Sequence, residues 1–191
     1  MNEVRPGASE PVRILVLGAG VIGSVYAGKL LRAGHHVVLL ARGTRLTDLQ
    51  ARGLVLENSQ SKQRSELPIP VVDSPGADLR DDLVLVAVRA EQLAATLPIL
   101  TGMNDDSDVL FFGNIAGHGP ALTEALGRRA VFGFPAIGGI QDGAVIRHVL
   151  IGQQKTTLGE PSGATSSRVR RLQTMFRGAG FPTTITANID G

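Results

Sequence analysis

The stretch RILVLGAGVIGSVYAGKLLRAGHHVVLLARGTR, residues 13 to 45, decides the fold. Arg13–Leu17 is a short apolar run rich in branched side chains and predicts a strand. Gly18, Ala19, Gly20, Val21, Ile22 and Gly23 then supply the spacing G-x-G-x-x-G. Val21–Arg32 follows a helical period that Gly34 stops, and His36–Leu40 is a second apolar strand. With a strand before it, a helix after it and a second strand on time, this glycine turn reads as a dinucleotide-binding fingerprint.

Each glycine has its own task in that reading. Gly18 lets the chain turn sharply at the strand end, Gly20 lets a pyrophosphate approach the main chain, and Gly23 lets the helix pack on the strand. Free N–H groups at the helix start, together with the helix dipole, hold the phosphate charge. The competing reading is a glycine turn that serves only helix–strand packing.

The end of the second strand sets the cofactor preference. An NAD site carries Asp or Glu there, to bond the ribose hydroxyls. This chain has Ala41 and Arg42, followed by Arg45. A carboxylate would repel a 2′-phosphate, whereas a guanidinium binds it through two parallel hydrogen bonds. The expectation is therefore NADP(H), with a solvated loop charge as the plain alternative for Arg42.

Working outward, 191 residues suffice for one substantial core or one domain with a small appendage. The 43% hydrophobic and 19% charged content is ordinary for an α/β domain, and 24 glycines suit many strand–helix turns. A net charge of only +2, with short basic clusters at Arg128-Arg129 and Arg168, Arg170, Arg171, argues against a nucleic-acid partner. The absence of cysteine excludes disulfides, thiolate metal sites and cysteine nucleophiles. No apolar run is long enough to span a membrane, and residues 1–11 lack the apolar core of a signal peptide. A disordered lead over 1–11, a dinucleotide-binding domain over 12–191 and a cytoplasmic location are the expectations.

Strand and helix patterns then alternate along the chain. Residues 46–52 read as a short helix. Residues 54–57 and 67–72 read as weaker strands around a polar stretch, 58–66. Residues 82–88 form a buried strand, and 90–100 a helix broken by Pro98. Asp108–Phe112 and Ala130–Phe134 are strands on either side of a helix at 120–126. Residues 144–151 and 156–158 read as a late hairpin, 166–177 as an amphipathic helix and 183–186 as a last strand. This order predicts an α/β, Rossmann-type, doubly wound and mostly parallel sheet with a late antiparallel hairpin.

In such a sheet, function sits after the carboxyl ends of strands. Arg89 follows DLVLVAV, Asn114 follows VLFFG, and the segment 135–139, PAIGG, follows VFGF. Asn114 has donor and acceptor groups for a carboxamide or a substrate hydroxyl, but also suits an ordinary turn. His118 lies in the same loop. His35 and His36 read as turn or surface residues. No His or carboxylate cluster has metal-ligand spacing.

These loops together resemble the ketopantoate reductase family. The resemblance rests on LGAGVIGS, LLAR, LVLVAVRAEQL, FGNIAG and DGAVIRHVLIGQQKTTLGE, in that order. It implies reduction of a small 2-keto acid, ketopantoate, by NADPH, with a Rossmann domain followed by a C-terminal helical domain. It implies that Gly18, Gly20 and Gly23 form the phosphate turn, with Ala19, Val21 and Ile22 between them. It assigns Arg42 to the 2′-phosphate, and Arg89 to a position where the family commonly has a cofactor-binding Lys. Asn114 falls beside nicotinamide and substrate, and Gly139 near a further cofactor contact.

The chain also departs from the family. Arg replaces Lys at position 89, Ile115 rather than Gly follows Asn114, and GFPAIGG lacks a Thr- and His-containing pattern. The family's helical domain, and the Lys that acts as general acid, would lie beyond Gly191. No residue of this chain is therefore assigned a catalytic role. A non-catalytic dinucleotide-binding module, or a related hydroxyacid dehydrogenase with another substrate, is the alternative. A homodimer is compatible with either.

Overall fold

The computed structural model describes residues 10–76, 81–103, 106–113 and 117–189. Residues 1–9 of the expected lead, together with Asn114 and Asp190, lie outside the described residues. Strand β1 (Arg13–Leu17) leads through the glycine turn into helix α1 (Val21–Arg32), and strand β2 (His36–Leu40) into helix α2 (Gly43–Arg52). Strands β3 (Leu54–Asn58), β4 (Arg64–Leu67), β5 (Val71–Val72) and β6 (Leu83–Val86) follow. A 3₁₀ turn over Ala90–Gln92 opens helix α3 (Leu93–Thr101). Strand β7 (Asp108–Phe112), helix α4 (Gly119–Leu126) and strand β8 (Ala130–Phe134) complete the alternating part. Strands β9 (Ile137–Asp142), β10 (Val145–Leu150) and β11 (Thr156–Gly159), helix α5 (Ser167–Gly178) and strand β12 (Thr183–Ile185) end the chain.

The main sheet has the order β12-β11-β8-β7-β6-β1-β2-β5. Strand β1 lies in its interior, with Ile14 opposite Val37 on one side and Leu83 on the other, both in parallel pairing. Its side chains alternate between two cores. Ile14 and Val16 pack with α1 and α5, whereas Leu15 and Leu17 pack with α3 and α4. Burial on both faces is why β1 and β6 are unbroken apolar runs. This is the expected α/β, mostly parallel sheet. Past β8 it changes direction: β11 pairs antiparallel, with Thr157 opposite Phe134, and β12 then returns parallel to β11 through α5.

A second sheet, β4-β3-β10-β9, covers the outer side of α1. It explains a sequence feature of that helix: α1 is apolar nearly all round, because it is sandwiched between two sheets. At Gly28 the approach is close. A Cβ there would lie 2.7 Å from Leu56 Cδ1 and 3.0 Å from Leu67 Cδ1. The late antiparallel hairpin is present, but its strands are β9 and β10, joined across Asp142 and Val145. The expected partner, 156–158, belongs instead to the main sheet. The PAIGG segment reads as a loop because its two glycines carry no apolar alternation. It pairs nonetheless, with Gly139 opposite His148 and Gly138 opposite Val149.

Two other boundaries shift for identifiable reasons. The strand expected over 67–72 is split, because Pro68 and Pro70 have no N–H to continue a ladder. Only Val71–Val72 returns to the main sheet, beside β2. Helix α3 runs through Pro98 to Thr101 instead of breaking there. The Thr101 hydroxyl donates to the Leu97 and Pro98 carbonyls and supports that last turn. His35, read as a turn or surface residue, is buried, and its Nδ1 accepts the Val12 N–H at 3.2 Å.

Packing between α1 and α5 is aromatic. Tyr26 stacks on Phe181 with ring centroids 4.0 Å apart and meets Phe176 edge-on at 5.4 Å. The Tyr26 hydroxyl shares a 2.5 Å hydrogen bond with Thr156 Oγ1. At the N-terminal end of α5, Arg168 reaches across the sheet margin. It donates to Glu160, to Asp108 at 3.2 Å and to the Ala130 carbonyl at 2.9 Å. Val169, Leu172, Met175 and Phe176 form the buried face of α5, each contributing about 1.5–3 kcal/mol by area burial.

Candidate functional site

The chain reverses direction around β1. From β1 it proceeds to β2 on one side, and later to β6, β7 and β8 on the other. Such a reversal leaves a crevice at the carboxyl ends of the central strands. A cleft of about 530 Å³ opens there. Its floor is Leu17, Gly18, Ala19 and Gly20; one wall is Leu40, Ala41 and Arg42 after β2; the other is Ala87, Val88 and Arg89 after β6. Helix α3 adds Gln92, Ala95, Thr96 and Ile99, and β9 adds Gln141.

The glycine turn has the geometry that its spacing implies. Gly18 has φ +113°, a conformation that side-chain-bearing residues rarely adopt. A Cβ on Gly23 would lie 1.9 Å from the Gly18 carbonyl oxygen, so the third glycine is required for α1 to close on the turn. A Cβ on Gly20 would meet nothing within 4 Å. Nothing in the protein packs against that position, so the space above it is open to a ligand. Gly20 provides no side-chain cap, and the first N–H groups of α1 have no intrahelical partner. A dinucleotide diphosphate fits this floor by charge and by shape.

The other predicted residues divide between rim and support. Arg42 is exposed on the rim, in extended conformation, immediately before α2. Arg89 is exposed on the opposite rim, and its N–H donates to Gln92 Oε1 at 3.1 Å. The cleft therefore has one guanidinium on each lip. Val21, Ile22 and Gly23 stand in the first turn of α1, behind the floor and not in the lining. Gly139 lies on β9, where a Cβ would come within 2.9 Å of Val21 Cγ1 and 2.3 Å of the Arg147 carbonyl oxygen. It packs beneath the turn and does not line the cleft. Asn114 lies outside the described residues. His118 is exposed at the start of α4 and is not part of the lining.

Sequence reading gave no cleft role to four polar lining residues, Gln92, Thr96, Gln141 and Arg45. Gln92, in the 3₁₀ turn before α3, lines the cleft while its Oε1 accepts the Arg89 N–H. Thr96 is buried, with its hydroxyl bonded to the Leu93 carbonyl at 2.7 Å. Gln141 arrives from a strand that was read as loop. Arg45, one helical turn past Arg42, is turned inward and only 9% exposed. Burial lowers its guanidinium pKa from the ordinary value, with the Asp48 charge opposing that. No sequence signal distinguishes an inward Arg45 from an outward Arg42; only the position of the second sheet does.

The titratable side chains in the lining are Arg42, Arg45 and Arg89. Guanidinium groups bind anions but do not donate protons near neutral pH. Among the described residues there is no group of three or more His, Cys, Asp or Glu side chains placed to hold a metal ion. Nor is any described helix long and apolar enough to cross a membrane.

The profile of the family described as ketopantoate reductase PanE/ApbA matches residues 14–163. The 2-dehydropantoate 2-reductase of Pyrococcus horikoshii is 28% identical over 185 residues, covering 94% of this chain and 58% of that protein. Among solved structures, the 2-dehydropantoate 2-reductase of Methylococcus capsulatus is 26% identical with a TM-score of 0.79, over 94% of this chain and 58% of the other. D-mandelate dehydrogenase, solved with NADH and anilino(oxo)acetate, shares the fold at 19% identity and TM-score 0.80, over 93% of this chain and 57% of the other. The chain thus spans about 58% of the length of the first of these relatives. Because the match over residues 14–163 takes in the second sheet, the main sheet except β12 and the whole cleft floor, the chain belongs to the ketopantoate reductase PanE/ApbA family.

Proposed function

We propose that this chain is the NADP(H)-binding part of a cytoplasmic oxidoreductase that reduces ketopantoate, or a similar small 2-keto acid, to the 2-hydroxy acid. The observation that carries the reading is the cleft itself: a glycine-turn floor, open above Gly20, with Arg42 at the end of β2 where an NAD site would have a carboxylate. The bound nicotinamide would supply hydride to the keto carbon. The chain's own residues would do the rest of the binding. The N–H groups of the glycine turn would hold the pyrophosphate, Arg42 the 2′-phosphate, and Arg89 a phosphate or ribose from the opposite lip. Val88, Ala95, Thr96 and Ile99 would flank the adenine, and Asn114 would orient the nicotinamide and the keto acid. Gly139 would support the turn from beneath.

A keto carbon that accepts hydride becomes an alkoxide and needs a proton donor. The arginines of the lining cannot serve; from the likeness to the family, the proposed donor is a Lys of the helical domain that its relatives carry. Two assays test the reading. The chain alone should bind NADPH yet leave ketopantoate unreduced. A form extended to the full length of its relatives should oxidise NADPH when ketopantoate or another 2-keto acid is added. Binding without turnover across a panel of 2-keto acids in the extended form would favour a non-catalytic dinucleotide-binding module.

A further inference from the structure

Arg45 makes three hydrogen bonds to three different parts of the fold. Nε donates to the Ala19 carbonyl of the glycine turn at 3.1 Å. One terminal nitrogen donates to Ser24 Oγ on α1 at 3.2 Å, and the other to the Ala144 carbonyl at 2.9 Å. Ala144 lies in the turn between β9 and β10, 99 residues further along the chain. All three acceptors are neutral, so the guanidinium is held in a buried place without a bonded carboxylate. Ser24 closes the triangle, its hydroxyl donating to the same Ala19 carbonyl at 3.0 Å. The tip of the second sheet is thereby tied to the floor of the cleft. Gln141, three residues before Ala144, lines that cleft.

We propose that Arg45 is the positioning residue of the cofactor cleft, clamping the β9–β10 hairpin to the glycine turn so that Gln141 forms a third wall over the dinucleotide. The proposal rests on the dinucleotide reading given above. Arg45 acts on the turn and the hairpin, whereas the 2′-phosphate belongs to Arg42. Its loss therefore weakens NADPH and NADH equally, and it loosens the hairpin. Burial of a positive charge with only neutral acceptors also gives a bound pyrophosphate a favourable field from below the turn.

The test pairs calorimetric titration of NADPH and NADH with hydrogen exchange over residues 141–144, with and without NADPH. In the parent chain, NADPH should increase protection of these amides. Arg45→Met should weaken both cofactors by about tenfold or more with their ratio unchanged, raise hairpin exchange before any ligand is added, and abolish the NADPH-dependent protection. Arg45→Lys, which keeps the charge, should recover part of the affinity. Gln141→Ala should weaken both cofactors alike, and it also removes the donation from Gln141 Nε2 to the Gly143 carbonyl at 3.2 Å, so the hairpin tie is judged on the Arg45 variants.

Unchanged affinity and unchanged hairpin exchange in Arg45→Met overturn the proposal. So does a selective loss of NADPH preference, which would make Arg45 a direct reader of the 2′-phosphate. If Arg45→Met does not fold, Arg45→Lys is judged by the same two readouts, and parent-like values in both overturn it. If the parent binds neither dinucleotide, it is the cofactor reading that fails. The ligand-free exchange comparison then decides the hairpin tie by itself, and unaltered exchange in the variant contradicts it.

Discussion

A Cβ on Gly23 would stand 1.9 Å from the carbonyl oxygen of Gly18, whereas a Cβ on Gly20 would touch nothing. The two positions belong to one glycine motif but obey different constraints. Gly23 is needed by the fold, and Gly20 is left free for whatever occupies the cleft.

Opposite outcomes follow for two alanine variants. Gly23→Ala forces α1 away from the turn, an overpacking that costs about 1–3 kcal/mol and lowers Tm by about 2–4 °C per kcal/mol. Gly20→Ala leaves Tm close to the parent value but places a methyl group where the proposed diphosphate would lie, so it should weaken NADPH binding. Thermal unfolding and calorimetry on both variants check this. Equal loss of stability in the two would contradict the assignment of roles.

The hydrogen bond between Tyr26 and Thr156 joins α1 to β11 inside an aromatic cluster. Burial raises the Tyr26 hydroxyl pKa well above its ordinary value, only partly offset by the Thr156 hydrogen bond, so the phenol stays protonated. Tyr26→Phe leaves the buried Thr156 hydroxyl without that partner and should cost about 1–2 kcal/mol in denaturant unfolding. Adding Thr156→Val should return part of that loss, because the orphaned hydroxyl is then gone. A double-mutant cycle measures the coupling.

Acid should destabilise the fold in two stages. Burial, with a smaller contribution from the Lys29 charge, lowers the His148 pKa below the ordinary 6.5. A histidine with a depressed folded-state pKa stabilises the fold at pH above 6.5, and that contribution is lost as pH falls through the folded value. Glu160 is pushed up by burial, but hydrogen bonds from Arg168 and Ser166 and the Arg168 charge outweigh this and hold it below 4.5. Its contribution is present above 4.5 and disappears at lower pH. Tm measured against pH should therefore decline first below 6.5 and again below 4.5. His148→Gln should make the first decline shallower, with His35, also held below 6.5 by burial, supplying the remainder, and Glu160→Gln should do the same for the second, to which Asp82 beside Arg13 also contributes.

Glu160→Gln also reports on how α5 is anchored. Arg168 keeps Asp108 and the Ala130 carbonyl when Glu160 loses its charge. The cost at neutral pH should therefore be about 2 kcal/mol, below that of stranding a buried charge with no partner at all. Chemical unfolding at pH 7 measures it.

Local signals were sufficient for the alternating half of the chain. Arg13–Leu17, Val21–Arg32, His36–Leu40, Asp108–Phe112 and Ala130–Phe134 form the elements that their patterns imply. Periodicity, a glycine or a proline marks each of them locally. The second sheet was not readable in the same way. Strand β3 pairs parallel with β10 across some ninety residues, Val55 opposite Val145, and no local pattern encodes that pairing. Gly138 and Gly139 hide strand β9; at Gly139 a side chain would collide with Val21 and the Arg147 carbonyl, whereas Gly138 has ordinary space. The cleft was legible at its floor and at both lips, where glycine spacing and strand ends mark the positions. It was not legible at Gln141, which reaches it from the second sheet, or at Arg45, which α2 turns inward toward that sheet's β9–β10 turn.

The central claim is that this cleft binds a dinucleotide and that Arg42 selects the phosphorylated one. Calorimetric titration of the chain with NADPH and, in parallel, NADH tests it most directly. The account predicts tighter binding of NADPH, by about tenfold or more for a charge-assisted contact, with the preference lost in Arg42→Ala and NADH affinity unchanged. Equal affinity for both cofactors, or a preference that survives Arg42→Ala, would contradict it.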